Sequence, residues 1–156
     1  MAREIKPMSL DRFKINWILN EELAVGTAPK TTTHVEKLKK EGIKSILSLC
    51  SEKEHKSNIP LSILFHHERY VLPDHKTGRI PTIEELNEVL KIIKKKLIHG
   101  PIYIHCVAAV ERSPLVCMAW LIREHNLNIQ QALDYVMQVN SGTNPLPKQL
   151  KLLSEL

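Results

Sequence analysis

The chain has 156 residues, 43% of them hydrophobic, enough for one core and too few for two ordinary domains, so residues 1–156 are expected to form a single domain. A net charge of +5 favours anionic partners, but an aromatic content of only 4%, with no aromatic and basic residues interleaved, argues against nucleic acid. The longest apolar run, Leu115–Ile122, is too short to span a membrane, Met1–Lys6 carries no apolar stretch of an export signal, and the three cysteines form no pairing framework, which points to the reducing cytoplasm.

In chain order, Asn16–Leu19 and Leu23–Thr27 are predicted strands, and Thr33–Glu41 is a helix that Gly42 ends at the C′ position. Ser45–Leu49 is an apolar strand, and Leu64–Val71 alternates and reads as another. It runs into Pro73-Asp74-His75-Lys76-Thr77-Gly78, where proline and glycine bound a loop able to open and close. Thr82-Ile83-Glu84-Glu85 is a capping box that opens a helix to Ile98, with Ile83, Leu86, Leu90, Ile93 and Leu97 along one face. Its closing Lys94-Lys95-Lys96 complements the helix dipole as a solvated end. Gly100-Pro101 announces a buried strand, Ile102–His105. Ser113-Pro114 signals the start of a helix to Glu124, apolar all round as in a central buried helix. Asn128 caps a helix to Gln138, and Pro147–Leu156 is the last. Strands and helices alternate through the middle, so the fold class is α/β: a mostly parallel sheet of about five strands sandwiched by helices.

Between the buried strand and the central helix lies His105-Cys106-Val107-Ala108-Ala109-Val110-Glu111-Arg112-Ser113. Five residues between a cysteine and an arginine can curl into an anion nest. The N–H groups of Val107, Ala108, Ala109, Val110 and Glu111 then point inward, Arg112 closes the ring and the Cys106 sulfur forms its floor. The positive end of the following helix faces the bound anion and favours the nucleophilic thiolate. Such a ring fits a phosphate.

These residues resemble the signature His-Cys-x5-Arg-Ser/Thr of the cysteine-dependent protein tyrosine phosphatases, in particular the compact dual-specificity group. The resemblance runs from about Asn16 to the C-terminus. It implies a phosphatase fold and a phosphocysteine intermediate, and a general-acid aspartate about thirty residues before the cysteine. Asp74, 32 residues before Cys106, matches that spacing, with His75 beside it as a candidate substrate contact. Ser113 is expected to donate a hydrogen bond to the Cys106 sulfur and help it leave. Gly142-Thr143-Asn144-Pro145 falls where relatives carry an asparagine that braces the active-site base.

Two residues depart from the family pattern. Ala109 stands where relatives have glycine, at a point where φ > 0 would cost an alanine on the order of 1 kcal/mol. Glu111 sits beside Arg112, and at ~8 Å and an effective dielectric near 20 its carboxylate would oppose a phosphate charge by about 2 kcal/mol. Its side chain is therefore expected to turn away and pair with a neighbouring base. Reverting both, Ala109→Gly with Glu111→Ser, is expected to raise catalytic efficiency.

The stretch from Ser48 to Lys53 and the Asp74-His75 pair resemble the phosphatase-and-tensin lipid phosphatases, which place lysines within their loop. Val107 and Val110 stand here instead, so a phosphorylated protein or peptide, phosphotyrosine first, is favoured over an inositol head group. The alternatives are a pseudophosphatase that binds phosphate without hydrolysis and a phosphoinositide phosphatase. Sulfur transfer by a rhodanese-like loop is disfavoured by Asp74 and Ser113-Pro114. Cys50, at the carboxyl end of its strand, is a candidate redox partner for Cys106, whereas Cys117 is expected to lie remote along the helix. The histidines, including His66-His67, lack metal-site spacing, so no metal or cofactor is implied and a monomer is expected.

Overall fold

The computed structural model describes residues 13–55 and 59–156, so the Met1–Lys6 segment considered for export lies outside the described residues. The chain runs β1 (Asn16–Leu19), β2 (Leu23–Gly26), α1 (Thr32–Lys40), β3 (Ser45–Ser48), α2 (Leu61–Leu64), β4 (His66–Arg69) and α3 (Ile83–Lys96). It continues through β5 (Ile102–His105), α4 (Arg112–His125), α5 (Ile129–Val139) and α6 (Pro147–Leu152). Among the described residues the strands form one five-stranded sheet in the order β1-β2-β5-β3-β4. The β1–β2 pair is antiparallel and the remaining pairs are parallel.

Side-chain alternation along the inner strands divides the core into two layers. Leu23, Val25, Leu47, Ile102 and Ile104 face α3, α4 and α5. Ala24, Ile46 and Tyr103 face the other way, onto Val35 and Leu38 of α1. Helix α4 is buried along its first ten residues, Arg112 to Leu121, as its apolar sequence requires. The capping boxes at Thr82 and Asn128 are both formed, and Gly42 takes φ 88° just beyond α1.

The helix expected over Pro147–Leu156 ends at Leu152 and passes into a 3-10 turn at Leu153–Glu155, and two further boundaries differ in kind. The strand predicted over Leu64–Val71 is confined to His66–Arg69, because Leu61–Leu64 close a helical turn in which the Phe65 N–H donates to the Leu61 carbonyl at 2.8 Å. Alternating apolar residues fit both conformations, and Pro60 immediately before the turn helps decide the matter by starting it. Helix α4 begins at Arg112, so Pro114 is its third residue and Ser113 sits inside the first turn instead of capping it. Proline is tolerated there because the first-turn N–H groups have no intrahelical partner.

Candidate active site

β5 lies in the middle of the sheet, flanked by β2 and β3 in parallel, so three neighbouring strands and β4 end at one edge. The segments leaving that edge carry Cys106 after β5, Glu54 after β3 and Asp74 after β4. Carboxyl ends of parallel strands converge in this way on the ligand sites of open α/β sheets.

The loop after β5 is held by its carbonyls. The Cys106 carbonyl accepts from His105 Nδ1 at 2.8 Å and that of Ala109 from Asn140 Nδ2 at 2.8 Å. The carbonyls of Val107 and Val110 accept from the backbone N–H of Ala28 at 3.3 Å and of Asn144 at 2.7 Å. Across a trans peptide the next N–H points opposite to the carbonyl, so the N–H groups of Val107, Ala108, Val110 and Glu111 are turned into the ring. Ala109 adopts φ 57°, the left-handed conformation its position required, and is buried.

Arg112 closes the ring as the first residue of α4, its side chain only 5% exposed. It donates to Glu54 Oε1 at 2.9 Å, Glu54 Oε2 at 3.2 Å and the Leu72 carbonyl at 3.1 Å, which fixes the guanidinium plane. Burial opposes ionisation of Glu54, but hydrogen bonds from Arg112 and Ser51 outweigh it and hold the carboxyl below its usual range. Cys106 is buried, with Sγ 3.2 Å from Ser113 Oγ. Asp74 Oδ2 stands 4.0 Å from Arg112 Nη2, and Oδ1 accepts from the Lys76 N–H at 2.8 Å. A cavity of about 490 Å³ joins these groups, with His75, Val107, Ala108, Val110 and Glu111 on its walls.

Glu111 turns from the ring and pairs with His75. Its Oε2 accepts from His75 Nδ1 at 2.8 Å, and its Oε1 from the His75 N–H at 3.0 Å and Gln149 Nε2 at 3.1 Å. Cys50 is buried behind the site, its Sγ 4.0 Å from His105 Nδ1. Burial pushes its thiol up, while Arg69 and Arg112 pull in the opposite direction. Cys117 is buried on α4. It lies five residues beyond Arg112, and a charge on Cys106 adds to the burial that already raises its thiol. Among the described residues no group of three or more His, Cys, Asp or Glu side chains is arranged to hold a metal ion.

Three features escape a reading of the sequence. Glu54 is legible as half of a reciprocal Ser51/Glu54 box, but its partnership with Arg112 crosses 58 residues. The bracing asparagine side chain is Asn140, whereas Asn144 in the expected segment contributes its backbone N–H. Behind Cys106, His105 Nε2 lies 2.6 Å from Ser48 Oγ, which lies 2.8 Å from His67 Nε2. Because the Cys106 carbonyl can only accept, His105 carries its proton on Nδ1, and Ser48 must donate to His105 Nε2 and accept from His67. Burial disfavours the imidazolium and takes the His105 pKa to about 3, consistent with this neutral form.

The family described as dual specificity phosphatase, catalytic domain, matches residues 23–156. The chain is 25% identical over 140 residues to the phosphatidylglycerophosphate phosphatase PTPMT2 of Arabidopsis thaliana, covering 88% of this chain and 60% of that protein. It is 28% identical over 81 residues to the Homo sapiens dual specificity protein phosphatase 5, covering 51% of this chain and 21% of that protein. It thus spans between about a fifth and three-fifths of the length of these relatives. The fold superposes on that of PTPMT1 in complex with PI(5)P, with a TM-score of 0.76 and 23% identity over 88% of this chain and 90% of that one. It also superposes on the human tyrosine phosphatase-like serine/threonine/tyrosine-interacting protein, with a TM-score of 0.77 and 21% identity over 92% and 95%. With the match running from the first residue of β2 to Leu156, the chain belongs to the dual specificity phosphatase group of the cysteine-dependent protein tyrosine phosphatases, among relatives that include both protein and lipid phosphatases.

Proposed function

We propose that this protein hydrolyses phosphomonoesters through a phosphocysteine, with phosphotyrosine in proteins as the first substrate and phosphoserine and phosphothreonine as further ones. The observation that carries the reading is the ring of inward N–H groups closed by Arg112, with Cys106 Sγ at its floor and Asp74 Oδ2 4.0 Å from Arg112 Nη2. The Cys106 thiolate attacks phosphorus in line while Arg112 and the loop amides hold the equatorial oxygens. The P–O bond breaks, and Asp74 gives its proton to the departing oxygen. Asp74 then takes a proton from the water that attacks the phosphocysteine, and the S–P bond breaks as Ser113 Oγ donates to the returning thiolate.

The uncharged Val107 and Val110 on the cavity wall support a monophosphate ester over a polyphosphorylated head group. A second reading, a lipid phosphatase, has its own support: the phosphatidylglycerophosphate phosphatase match covers 88% of this chain and the dual specificity phosphatase 5 match 51%. The domain is proposed to work as a monomer in the cytoplasm, where its three free cysteines stay reduced. Release of phosphate from a panel of phosphopeptides, phosphoinositides and phosphatidylglycerophosphate decides between the substrates. Cys106→Ser should leave less than a few per cent of the wild-type rate on whichever is turned over. A Cys106→Ser protein that kept more would refute the mechanism, and a wild type inert on every ester would leave a phosphate-binding pseudophosphatase.

A further inference from the structure

We propose that Glu111 is a positioning residue: its carboxylate clamps the Asp74 loop onto the phosphate-binding ring and so sets the general acid in place. The proposal rests on the hydrolase reading above and goes beyond it in giving Glu111, which the sequence suggests is a handicap, a positive role. Glu111 occupies the N-cap position of α4, yet its side chain makes no cap hydrogen bond. The third residue of the helix is Pro114, which removes one of the two N–H groups a cap could take, and the carboxylate bonds His75 and Gln149 instead.

That carboxylate is engaged on both oxygens. Oε2 accepts from His75 Nδ1 at 2.8 Å, and Oε1 accepts from the His75 N–H at 3.0 Å and from Gln149 Nε2 at 3.1 Å. The Glu111 side chain is 11% exposed and that of its partner His75 55%, so the carboxylate is mostly covered while the imidazole stays open to solvent. Two hydrogen bonds to one residue fix orientation as well as distance. His75 is covalently next to Asp74, so holding its N–H holds the Asp74 carboxyl toward Arg112.

The loop is held together locally. Lys76 N–H donates to Asp74 Oδ1 at 2.8 Å and Thr77 N–H to the Asp74 carbonyl at 3.1 Å, making a rigid turn. Gly78, at φ 83°, ends that turn. Glu111 ties the turn to the ring, and Gln149 ties the same carboxylate to α6. A group that needs no covalent role in the reaction thereby sets the distance across which a proton is delivered.

The test uses aryl phosphates whose leaving groups differ in their need for a proton. With difluoromethylumbelliferyl phosphate, whose phenolate leaves unaided, Glu111→Ala should lose at most about threefold in kcat. With phenyl phosphate it should lose on the order of 30- to 100-fold, as expected when general-acid catalysis is impaired, with KM changed little. In an Asp74→Asn background Glu111→Ala should cause no further loss. Glu111→Gln, which keeps the volume, should recover most of the rate that Glu111→Ala loses, because neutral His75 can carry its proton on Nε2 and accept from the amide at Nδ1 while the amide oxygen accepts from the His75 N–H and Gln149 Nε2. Equal losses across the leaving groups, full additivity with Asp74→Asn, or a Glu111→Gln protein as slow as Glu111→Ala would each overturn the proposal. Amide hydrogen exchange provides a readout without turnover: the His75 N–H should exchange at least tenfold faster in Glu111→Ala, while β5 amides are unchanged. If the wild type hydrolyses no ester, the hydrolase reading fails and exchange alone decides the clamp; unchanged exchange at His75 would refute it.

Discussion

His105 makes a sharp test of the buried chain behind the nucleophile. It is 1% exposed, and burial is the largest influence that lowers its pKa from 6.5 to about 3, with nearby His55, His67 and Arg69 adding to the shift. The folded protein therefore holds it neutral while the unfolded chain protonates near 6.5. Between those values acidification adds a proton to the unfolded state only, so stability is fully present above pH 6.5 and falls as the pH drops toward 3. At 1.36 kcal/mol per unit, the loss is about 2 kcal/mol by pH 5 and about 4 kcal/mol by pH 3, where the folded state is itself half protonated. The perturbation is His105→Gln, which cannot titrate. Urea unfolding at pH 7.5 and pH 5.0 should show the wild type losing about 2 kcal/mol more than the variant over that step. Using the difference between the two proteins cancels the contributions of the other titrating groups, Glu54 and His67 among them. Equal losses in both proteins would show that the folded state accepts a proton at His105, and the hydrogen-bond directions assigned to Ser48 and His67 would be wrong.

Other outcomes follow from the same geometry. Asp74→Asn should slow phenyl phosphate hydrolysis by roughly 10²- to 10⁴-fold and remove the alkaline limb of a bell-shaped pH–rate profile, read from steady-state kinetics. Ala109→Gly relieves a left-handed alanine worth about 1 kcal/mol but deletes a buried methyl worth about 0.8 kcal/mol, so calorimetry should find its stability little changed. Joined to Glu111→Ser it should lower catalytic efficiency, reversing what the sequence suggests, because the His75 contacts are lost. Brief peroxide treatment should link Cys50 to Cys106 and abolish activity that dithiothreitol restores; peptide mapping that finds Cys50 unmodified in the inactivated protein would reduce it to a core residue.

The parts of this protein that depend on neighbours in the chain are legible without a structure. The capping boxes at Thr82 and Asn128, the turn at Gly42 and the apolar length of α4 are local in cause, since each is set by contacts within a few residues. The Cys106–Arg112 ring is of the same kind, because a five-residue loop before a helix has few ways to close, and even the left-handed Ala109 could be anticipated from it. Short apolar runs such as Leu64-Phe65 lie at the limit of this reasoning, since the same pattern suits a strand or a helical turn.

What the tertiary structure decided is which distant side chains complete the site. Glu54 reaches Arg112 across 58 residues, Asn140 reaches Ala109 across 31, Ser48 reaches His105 across 57, and Glu111 reaches His75 across 36. None of these pairs carries a local signature. They meet because the order β1-β2-β5-β3-β4 brings the ends of β3, β4 and β5 to one edge, and that order depends on burying two apolar faces at once. Glu111 shows the consequence most plainly: beside Arg112 in the sequence it is a like charge facing phosphate, and in the fold it is the acceptor of three hydrogen bonds that turn it away from the ring.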